Sequence, residues 1–175
     1  MTMNDYLDDE VQIADERDLI HDGALQHPIR DLPDLHPVIT ASPHDSLRTV
    51  INLLVEKRVG CALIVEEGRL VGVFSERDVL LKVTTTGVDI DATPVGELMT
   101  KNPESLRLDD ELVYALHQMA LGGYRHIPLL DSAGAPVAVI SMRDIVGYIV
   151  SLYPDEVMKL PSHPDKAITQ TREGA

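Results

Sequence analysis

The sequence repeats itself at an offset of 66 residues, the distance from Gly68 to Gly134. Residues 31–83 align with residues 97–149 without a gap, and the likeness is strongest where residues 68–78 return as residues 134–144. A two-copy repeat is too short for a solenoid, which needs three or more units to bury its core. The repeat therefore predicts two related halves that pack face to face and leave paired clefts.

Each copy has the same predicted order of elements, β-α-β-β-α. An extended segment at 38–40 or 105–106 comes first, and a helix with apolar residues at helical spacing follows. Two strands then flank a turn that contains Gly68 or Gly134, a residue that supplies the positive φ of many hairpins. The predicted strands are 61–65 and 70–74 in the first copy, and 127–130 and 137–140 in the second. The fold class is therefore mixed α/β (α+β).

Local signals predict where several helices begin. Residues 42–45 (Ser-Pro-His-Asp) are typical of a capping box and predict the start of the first long helix. Asp109 is the predicted cap of its counterpart in the second copy. A short helix at 95–99 precedes the second copy, and residues 29–32 are its predicted partner before the first.

Composition divides the chain into four segments. They are an acidic N-terminal arm at 1–27, a first repeat at 28–88, a second repeat at 89–153 and a polar C-terminal tail at 154–175. In the arm, Asp and Glu are opposed by a single basic residue, Arg17. A short helix and a mobile acidic arm both fit this segment.

Charge and cysteine content bear on the possible partners and on the cellular location. The net charge of −14 argues against nucleic acid and against an anionic membrane surface, both of which need basic residues. A single cysteine, Cys61, excludes an intramolecular disulfide and lies in an apolar run, which indicates an inert core thiol. We expect no signal peptide and no membrane span, and we predict a cytoplasmic protein.

A Ser-x-x-Asp motif stands at the predicted start of the second helix in both copies. Ser75 with Asp78, and Ser141 with Asp144, could each form a capping box that stabilises the helix and does nothing else. The same carboxylate could accept two hydrogen bonds from a vicinal diol such as a ribose, because a carboxylate has several lone pairs. The recurrence of the motif at the same point of both copies favours the second interpretation.

These residues resemble a known family. The doubled β-α-β-β-α pattern with residues 72–78 and 138–144 is similar to a tandem pair of CBS (cystathionine-β-synthase) domains, a Bateman module. Residues 124–131 and 97–99 support the resemblance. It implies two repeats packed about a pseudo-twofold axis, two clefts that take adenosine-type ligands, and a disc-like homodimer of two such modules.

The resemblance also implies which residues form each cleft. Ser75 and Asp78 would line one cleft, with residues contributed by the second copy: Arg125, His126 and Ile127. Ser141 and Asp144 would line the other, with residues contributed by the first copy: Val59, Gly60 and Cys61. In each cleft the Asp would bind the ribose hydroxyls, and the Ser would contact ribose or phosphate.

The two clefts are predicted to be unequal. Arg125 and His126 can bind phosphate, whereas their counterparts Val59 and Gly60 carry no charge, so the cleft with Asp78 should bind phosphorylated ligands more tightly. Two alternatives remain open, a surface salt bridge from Arg125 to a nearby acid such as Asp131 and a core-edge role for His126. Two further residues, Arg77 and Arg143, are predicted to form surface ion pairs.

No arrangement of residues typical of catalysis occurs, so we predict no enzyme and no metal site. The predicted function is a sensor that binds AMP, ADP, ATP, NAD(H) or S-adenosylmethionine as a regulatory ligand, which Mg2+ could accompany, and that signals to an effector protein by a change of dimer shape. The alternatives are a nucleotide-independent dimeric interaction module and a weak nucleotide hydrolase. The predicted dimer contact consists of apolar residues that follow the two Ser-x-x-Asp motifs: Val79, Leu80, Val83, Ile145, Ile149 and Val150.

Overall fold

The computed structural model describes residues 23, 25–33 and 35–152. The chain divides into two compact units, one of which is Leu25–Asp144; of the other, the described part is residue 23 and residues 145–152. The unit Leu25–Asp144 holds the seven strands found among the described residues, and it is described below. The predicted C-terminal tail at 154–175 and most of the predicted acidic arm lie outside the described residues.

The first copy contains the predicted elements in the predicted order. Strand β1 is Thr40–Ala41, helix α1 is Leu47–Lys57, β2 is Cys61–Glu66 and β3 is Arg69–Ser75. A short helix α2, Glu76–Asp78, continues without a break as a π-helical turn, Val79–Val83. Beyond the linker, α3 is Val95–Leu98, and a 3₁₀ turn at Ile29–Asp31 occupies the corresponding place before the first copy.

The second copy follows the same order. Its elements are β5 at Leu106–Arg107, α4 at Leu112–Gly122, β6 at His126–Leu130, β7 at Pro136–Ser141 and α5 at Met142–Leu152. A further strand, β4 at Thr100–Lys101, lies between α3 and β5. The mixed α/β class and the doubled β-α-β-β-α order are confirmed.

Two predicted helix starts are wrong for the same reason. Helix α1 begins after Ser46, whose hydroxyl accepts from the Thr49 amide, and not at residues 42–45. The Ser42 amide donates to Asp45 Oδ2 at 2.8 Å, which closes a turn before the helix. Helix α4 begins after Glu111 and not after the predicted cap Asp109, and the neighbouring Asp110 accepts from the Arg107 amide at 2.7 Å before the helix. Short polar side chains satisfy turns as readily as helix ends, so the motif alone does not locate the first helical residue.

The strands form two small sheets. The order is β1-β2-β3-β4 in one and β5-β6-β7 in the other, with β1 parallel to β2 and β5 parallel to β6. The hairpin turns contain Gly68 at φ +77° and Gly134 at φ +85°, values that favour glycine. Because the parallel pairs are joined through α1 and α4, each copy is one compact β-α-β-β unit.

Each copy begins with a lead-in segment, the residues before β1 or β5, and this segment packs on the other copy. Strand β4 leads into the second copy, yet it pairs with β3 of the first. His36, which leads into the first copy, forms an antiparallel bridge with Val139 in β7. The amides of Ile29 and Val95 donate to the carbonyls of Asp110 and Asp45 at 2.9 and 2.8 Å, and both side chains are fully buried. This exchange joins the two copies through backbone hydrogen bonds.

Strand β2 lies in the interior and is buried on both faces. Ala62 and Ile64 belong to the core beneath α1, together with Leu47, Val50 and Leu54. Cys61 and Leu63 point to the opposite face, where they pack with Val139 of the second copy. Since side chains alternate along a strand, these two sets serve separate contacts, and the second joins the two halves.

Gly72 allows β3 and β4 to approach each other. A Cβ at this position would clash with the Met99 side chain and would lie 3.1 Å from the Thr100 carbonyl oxygen. We expect Gly72→Ala to lower the free energy of unfolding by about 1–3 kcal/mol, as overpacking does. Urea unfolding measures this. Gly147→Ala is the control, because its Cβ would have open space in α5; equal stability of the Gly72 variant and wild type would contradict the close approach.

Candidate functional site

A cavity of about 450 Å³ opens at the junction of β3 and α2. Residues from both copies line it. The first copy contributes Gly60, Cys61, Val73 and residues 75–78. The lead-in to the second copy contributes Thr100 and residues 102–104, and the loop between α4 and β6 contributes residues 122–126. Of the residues predicted for the cleft with Asp78, four line this one cavity: Ser75, Asp78, Arg125 and His126.

Ser75 and Asp78 form a capping box at this junction. The Ser75 amide and hydroxyl donate to Asp78 Oδ2 at 2.8 and 2.6 Å, and the Ser75 oxygen accepts weakly from the Asp78 amide at 3.4 Å. The helix-capping interpretation of the motif is therefore correct as far as it goes. It uses only Oδ2 of Asp78 and fixes the carboxylate at the edge of the cavity.

Lys82 supplies the positive charge for Asp78. Its Nζ lies 2.7 Å from Asp78 Oδ1, donates to the Leu98 carbonyl at 2.8 Å and lies 3.4 Å from Thr100 Oγ1. The Asp78 side chain is only 12% exposed, so its charge needs such a partner. Lys82 was not predicted from the sequence as a site residue. Its position four residues after Asp78, one helical turn away, is the signal that could have indicated this ion pair.

Arginine side chains carry the positive charge of the cavity wall. Arg77 Nη1 donates to the Gly123 carbonyl at 2.6 Å, so the prediction of a surface ion pair is wrong for this residue. Arg125 is exposed and lines the same cavity. The predicted alternative partner of Arg125, Asp131, instead accepts from the Ala133 and Ala135 amides in its own turn.

His126 lies half-buried against Gly60. A Cβ on Gly60 would come within 2.6 Å of His126 Cε1, so the absence of a side chain there makes room for the imidazole. Burial, aided by the charge of Arg125, lowers the pKa of His126 below its usual value of 6.5. The imidazole is therefore neutral at neutral pH. Burial, with a smaller effect of Glu76, raises the pKa of the Cys61 thiol to about 12, so Cys61 is not a thiolate nucleophile.

The second Ser-Asp pair has the same local geometry and a different outer partner. The Ser141 amide donates to Asp144 Oδ2 at 2.7 Å, and the Asp144 amide donates to Ser141 Oγ at 3.3 Å. Asp144 Oδ1 lies 3.1 Å from His36 Nε2. His36 therefore contacts Oδ1 of Asp144, the atom that corresponds to the Asp78 oxygen contacted by Lys82.

The remaining four predicted cross-copy residues are Gly60, Cys61, Ile127 and Val59. Cys61 opposes Ser75 in the β2–β3 register, and the Glu76 amide donates to the Gly60 carbonyl at 3.0 Å. This register puts Gly60 and Cys61 in the wall of the Asp78 cavity. Ile127 is fully buried. Val59 is partly buried against the core of the first copy.

Two features are absent from the described residues. Within residues 23, 25–33 and 35–152, no group of three or more His, Cys, Asp or Glu side chains is arranged to hold a metal ion. In the same part of the chain, no helix combines the length and the apolar character that crossing a bilayer requires.

Comparison with known proteins decides the family. The model of the CBS domain matches twice, at residues 29–84 and 95–151, which together cover more than half of the chain. The chain belongs to the CBS domain family. The two matches coincide with the two copies recognised from the 66-residue offset, so the resemblance drawn from residues 72–78 and 138–144 is confirmed.

Individual CBS proteins resemble this chain over the same region. A CBS domain-containing protein of Arabidopsis thaliana, CBSCBSPB1, is 37% identical over 111 residues, which are 63% of this chain and 20% of that protein. The chain therefore spans about a fifth of the length of this relative. The structure of CBSX2 in complex with AMP matches with a TM-score of 0.62 at 24% identity, over 73% of this chain and 98% of that one.

A second solved structure has the same fold. The CBS domain pair of protein MJ0100, in complex with 5′-methylthioadenosine and S-adenosyl-L-methionine, matches with a TM-score of 0.64 at 22% identity. The match covers 71% of this chain and 96% of that one. At these identities both structural matches show that the fold is shared.

The buried imidazole predicts a pH-dependent stability. Because the pKa of His126 is lower in the folded chain than the unfolded value of 6.5, the unfolded chain takes up more protons below that pH. The free energy of unfolding should therefore fall as the pH drops below 6.5, by at most about 1.4 kcal/mol per pH unit from this group. Urea unfolding between pH 7.5 and about pH 5 measures the slope.

His126→Asn should reduce this slope. His44→Asn is the matched control, since it removes a histidine whose side chain is 85% exposed and lies away from the Asp78 cavity. A slope that is unchanged in the His126 variant would show that burial of this imidazole does not set the acid sensitivity.

Proposed function

We propose that this CBS domain pair is a regulatory module, and not an enzyme, which binds an adenosine-containing ligand in the cavity beside Asp78. The observation that carries the proposal is the position of the Asp78 carboxylate, held at the cavity edge and already oriented by Ser75 and Lys82. A carboxylate has about four lone-pair sites, and the protein donors use three of them. A ribose diol can take the remaining site and replace the rotatable Ser75 hydroxyl on Oδ2.

The same cavity offers donors for phosphate. The guanidinium of Arg77 has five N–H groups, and the Gly123 carbonyl uses one of them. Arg125 lines the wall as well and is exposed. Arginine binds phosphate oxygens with paired, charge-assisted hydrogen bonds. Because His126 is neutral at neutral pH, we assign the phosphate interaction to the two arginines.

The wall also has apolar surface for a base. Val73, Pro103 and Tyr124 line the cavity beside the polar groups. Pockets of this kind, apolar with a few converging polar side chains, are typical of small-molecule sites. AMP, ADP, ATP, NAD(H) and S-adenosylmethionine share the adenosine group that this arrangement fits, and the arginines favour the phosphorylated members. Mg2+ could accompany a di- or triphosphate.

The ligands of the two structural neighbours support the proposal. CBSX2 was solved with AMP, and the MJ0100 domain pair with two adenosine derivatives that lack phosphate. Adenosine is the group that all three ligands have in common. This agreement supports adenosine as the recognised group and AMP as the first probe.

Removal of the Asp78 charge should weaken AMP binding. We expect Asp78→Asn to raise the Kd for AMP on the order of 10–100-fold, since hydrogen bonds to a charged group contribute about 1.5–3 kcal/mol. Calorimetry measures the Kd, with adenosine and 2′-deoxy-AMP as comparison ligands. Arg125→Ala should weaken AMP and leave adenosine unchanged.

A matched control is available in the first copy. Asp45 accepts a hydrogen bond from the Ser42 amide at 2.8 Å, as Asp78 does from Ser75, but it lies outside this cavity. Asp45→Asn should therefore bind AMP as the wild type does. Absence of binding by the wild-type chain at millimolar AMP, ADP, ATP, NADH and S-adenosylmethionine would contradict the proposed function.

We further propose that the chain forms a homodimer and transmits ligand binding to an effector protein by a change of dimer shape. A ligand shifts such an equilibrium only by binding one shape more tightly than the other. The predicted contact needs correction, because Val83 and Ile145 are buried and Val79 is packed against the core. Leu80 and Leu81, which are 64% and 63% exposed, are the apolar side chains available on the segment after Asp78.

A negative charge at position 80 should dissociate the dimer into monomers. We expect light scattering at micromolar concentration to give a dimer for the wild type and a monomer for Leu80→Glu. Val55→Glu is the control, because Val55 is 73% exposed on α1 and lies outside the proposed contact. A monomeric wild type would contradict the dimer, whereas a dimer whose scattering profile does not change when AMP binds would favour a nucleotide-independent interaction module.

A further inference from the structure

The outer oxygens of the two buried carboxylates are contacted by nitrogen atoms from different places. Asp78 Oδ1 is contacted by Lys82, which follows it on the same helical segment. The residue at the corresponding place after Asp144 is Tyr148, which has no positive charge. Asp144 Oδ1 is instead contacted by His36 Nε2 at 3.1 Å. His36 belongs to the segment that leads into the first copy, so this partner comes from across the cleft.

A difference in strand register brings His36 to this position. In the first sheet, Thr100 opposes Val73. At the 66-residue offset, Val139 is the counterpart of Val73, and His36 is the counterpart of Asn102. In the second copy, Val139 is opposed by His36. The segment that pairs with β7 is therefore displaced by two residues relative to the segment that pairs with β3. A shift of two residues keeps the same face of the segment on the same side. His36 stands where the first cleft has the shorter Thr100.

The backbone holds the imidazole in place. The Val139 amide donates to the His36 carbonyl at 3.3 Å, which anchors the segment on β7. The side chain of Asp144 is 10% exposed and that of His36 is 49% exposed. The half-exposed imidazole thus lies between the buried carboxylate and solvent.

We propose that His36 closes a second, latent site for a nucleoside diol at Asp144. This inference rests on the proposed function, since it assigns to Asp144 the role proposed for Asp78. The imidazole occupies the oxygen that a ribose hydroxyl needs, whereas Lys82 approaches Asp78 from its own helix and leaves the cavity side accessible. The chain therefore binds one adenosine ligand, at Asp78, and binds a second only when His36 leaves Asp144.

AMP stoichiometry, measured by calorimetry, tests this assignment. We expect the wild type to bind one AMP per chain and His36→Ala to bind two. In the Asp78→Ala background, which lacks the first site, His36→Ala should restore one site, and the further change Asp144→Asn should remove it. His36→Val is a second variant that suits the extended backbone, and circular dichroism verifies that each variant is folded.

The control is His44→Ala, which removes another exposed histidine near a carboxylate, with Nε2 at 3.8 Å from Glu66 Oε1. It should bind one AMP. If the wild type binds one AMP through Asp78 and both His36 variants still bind one, the latent site is wrong and the proposed function stands. Two AMP per wild-type chain would also overturn it. If only the His36 variants bind AMP, and through Asp144, the latent site stands and the Asp78 assignment fails; if no variant binds, both fail.

Discussion

Two carboxylates at strand-to-helix junctions, Asp78 and Asp144, set the constraint on which the site depends. Their side chains are 12% and 10% exposed, which is too little for an uncompensated charge. In each case the preceding serine amide satisfies Oδ2, and the other oxygen must find a donor elsewhere. Lys82 meets this need for Asp78, and His36 meets it for Asp144. The two halves are alike in sequence, and they become unequal through these two partners.

The exchange of lead-in segments makes this inequality possible. Strand β4 pairs with β3, and His36 pairs with Val139 in β7, so each hairpin is bordered by a segment that belongs to the other copy. The same exchange buries Ile29 and Val95 completely. A displacement of two residues in one of these pairings is enough to replace a threonine by a histidine at the cleft. A small difference in register therefore decides what a buried carboxylate contacts.

Sequence reasoning succeeded where structure depends on alternation or on a repeat. The strand pairs β2–β3 and β6–β7, their glycine turns and the short helices before each copy were predicted near their observed bounds. It failed at the starts of α1 and α4, because Asp45 and Asp110 close turns with side chains that could equally cap a helix. It did not predict that Gly60 and Cys61 line the Asp78 cavity, since the β2–β3 register was not known.

The sequence by itself determined the doubled β-α-β-β-α order and the two Ser-x-x-Asp junctions, because periodicity, turn residues and capping act between residues that are close along the chain. The tertiary structure alone decided the strand exchange, the placement of Arg77 at the Gly123 carbonyl, and the pairing of Lys82 with one carboxylate and His36 with the other. These features depend on register between distant segments. Register is selected by the burial of whole strand faces, and no short motif records it.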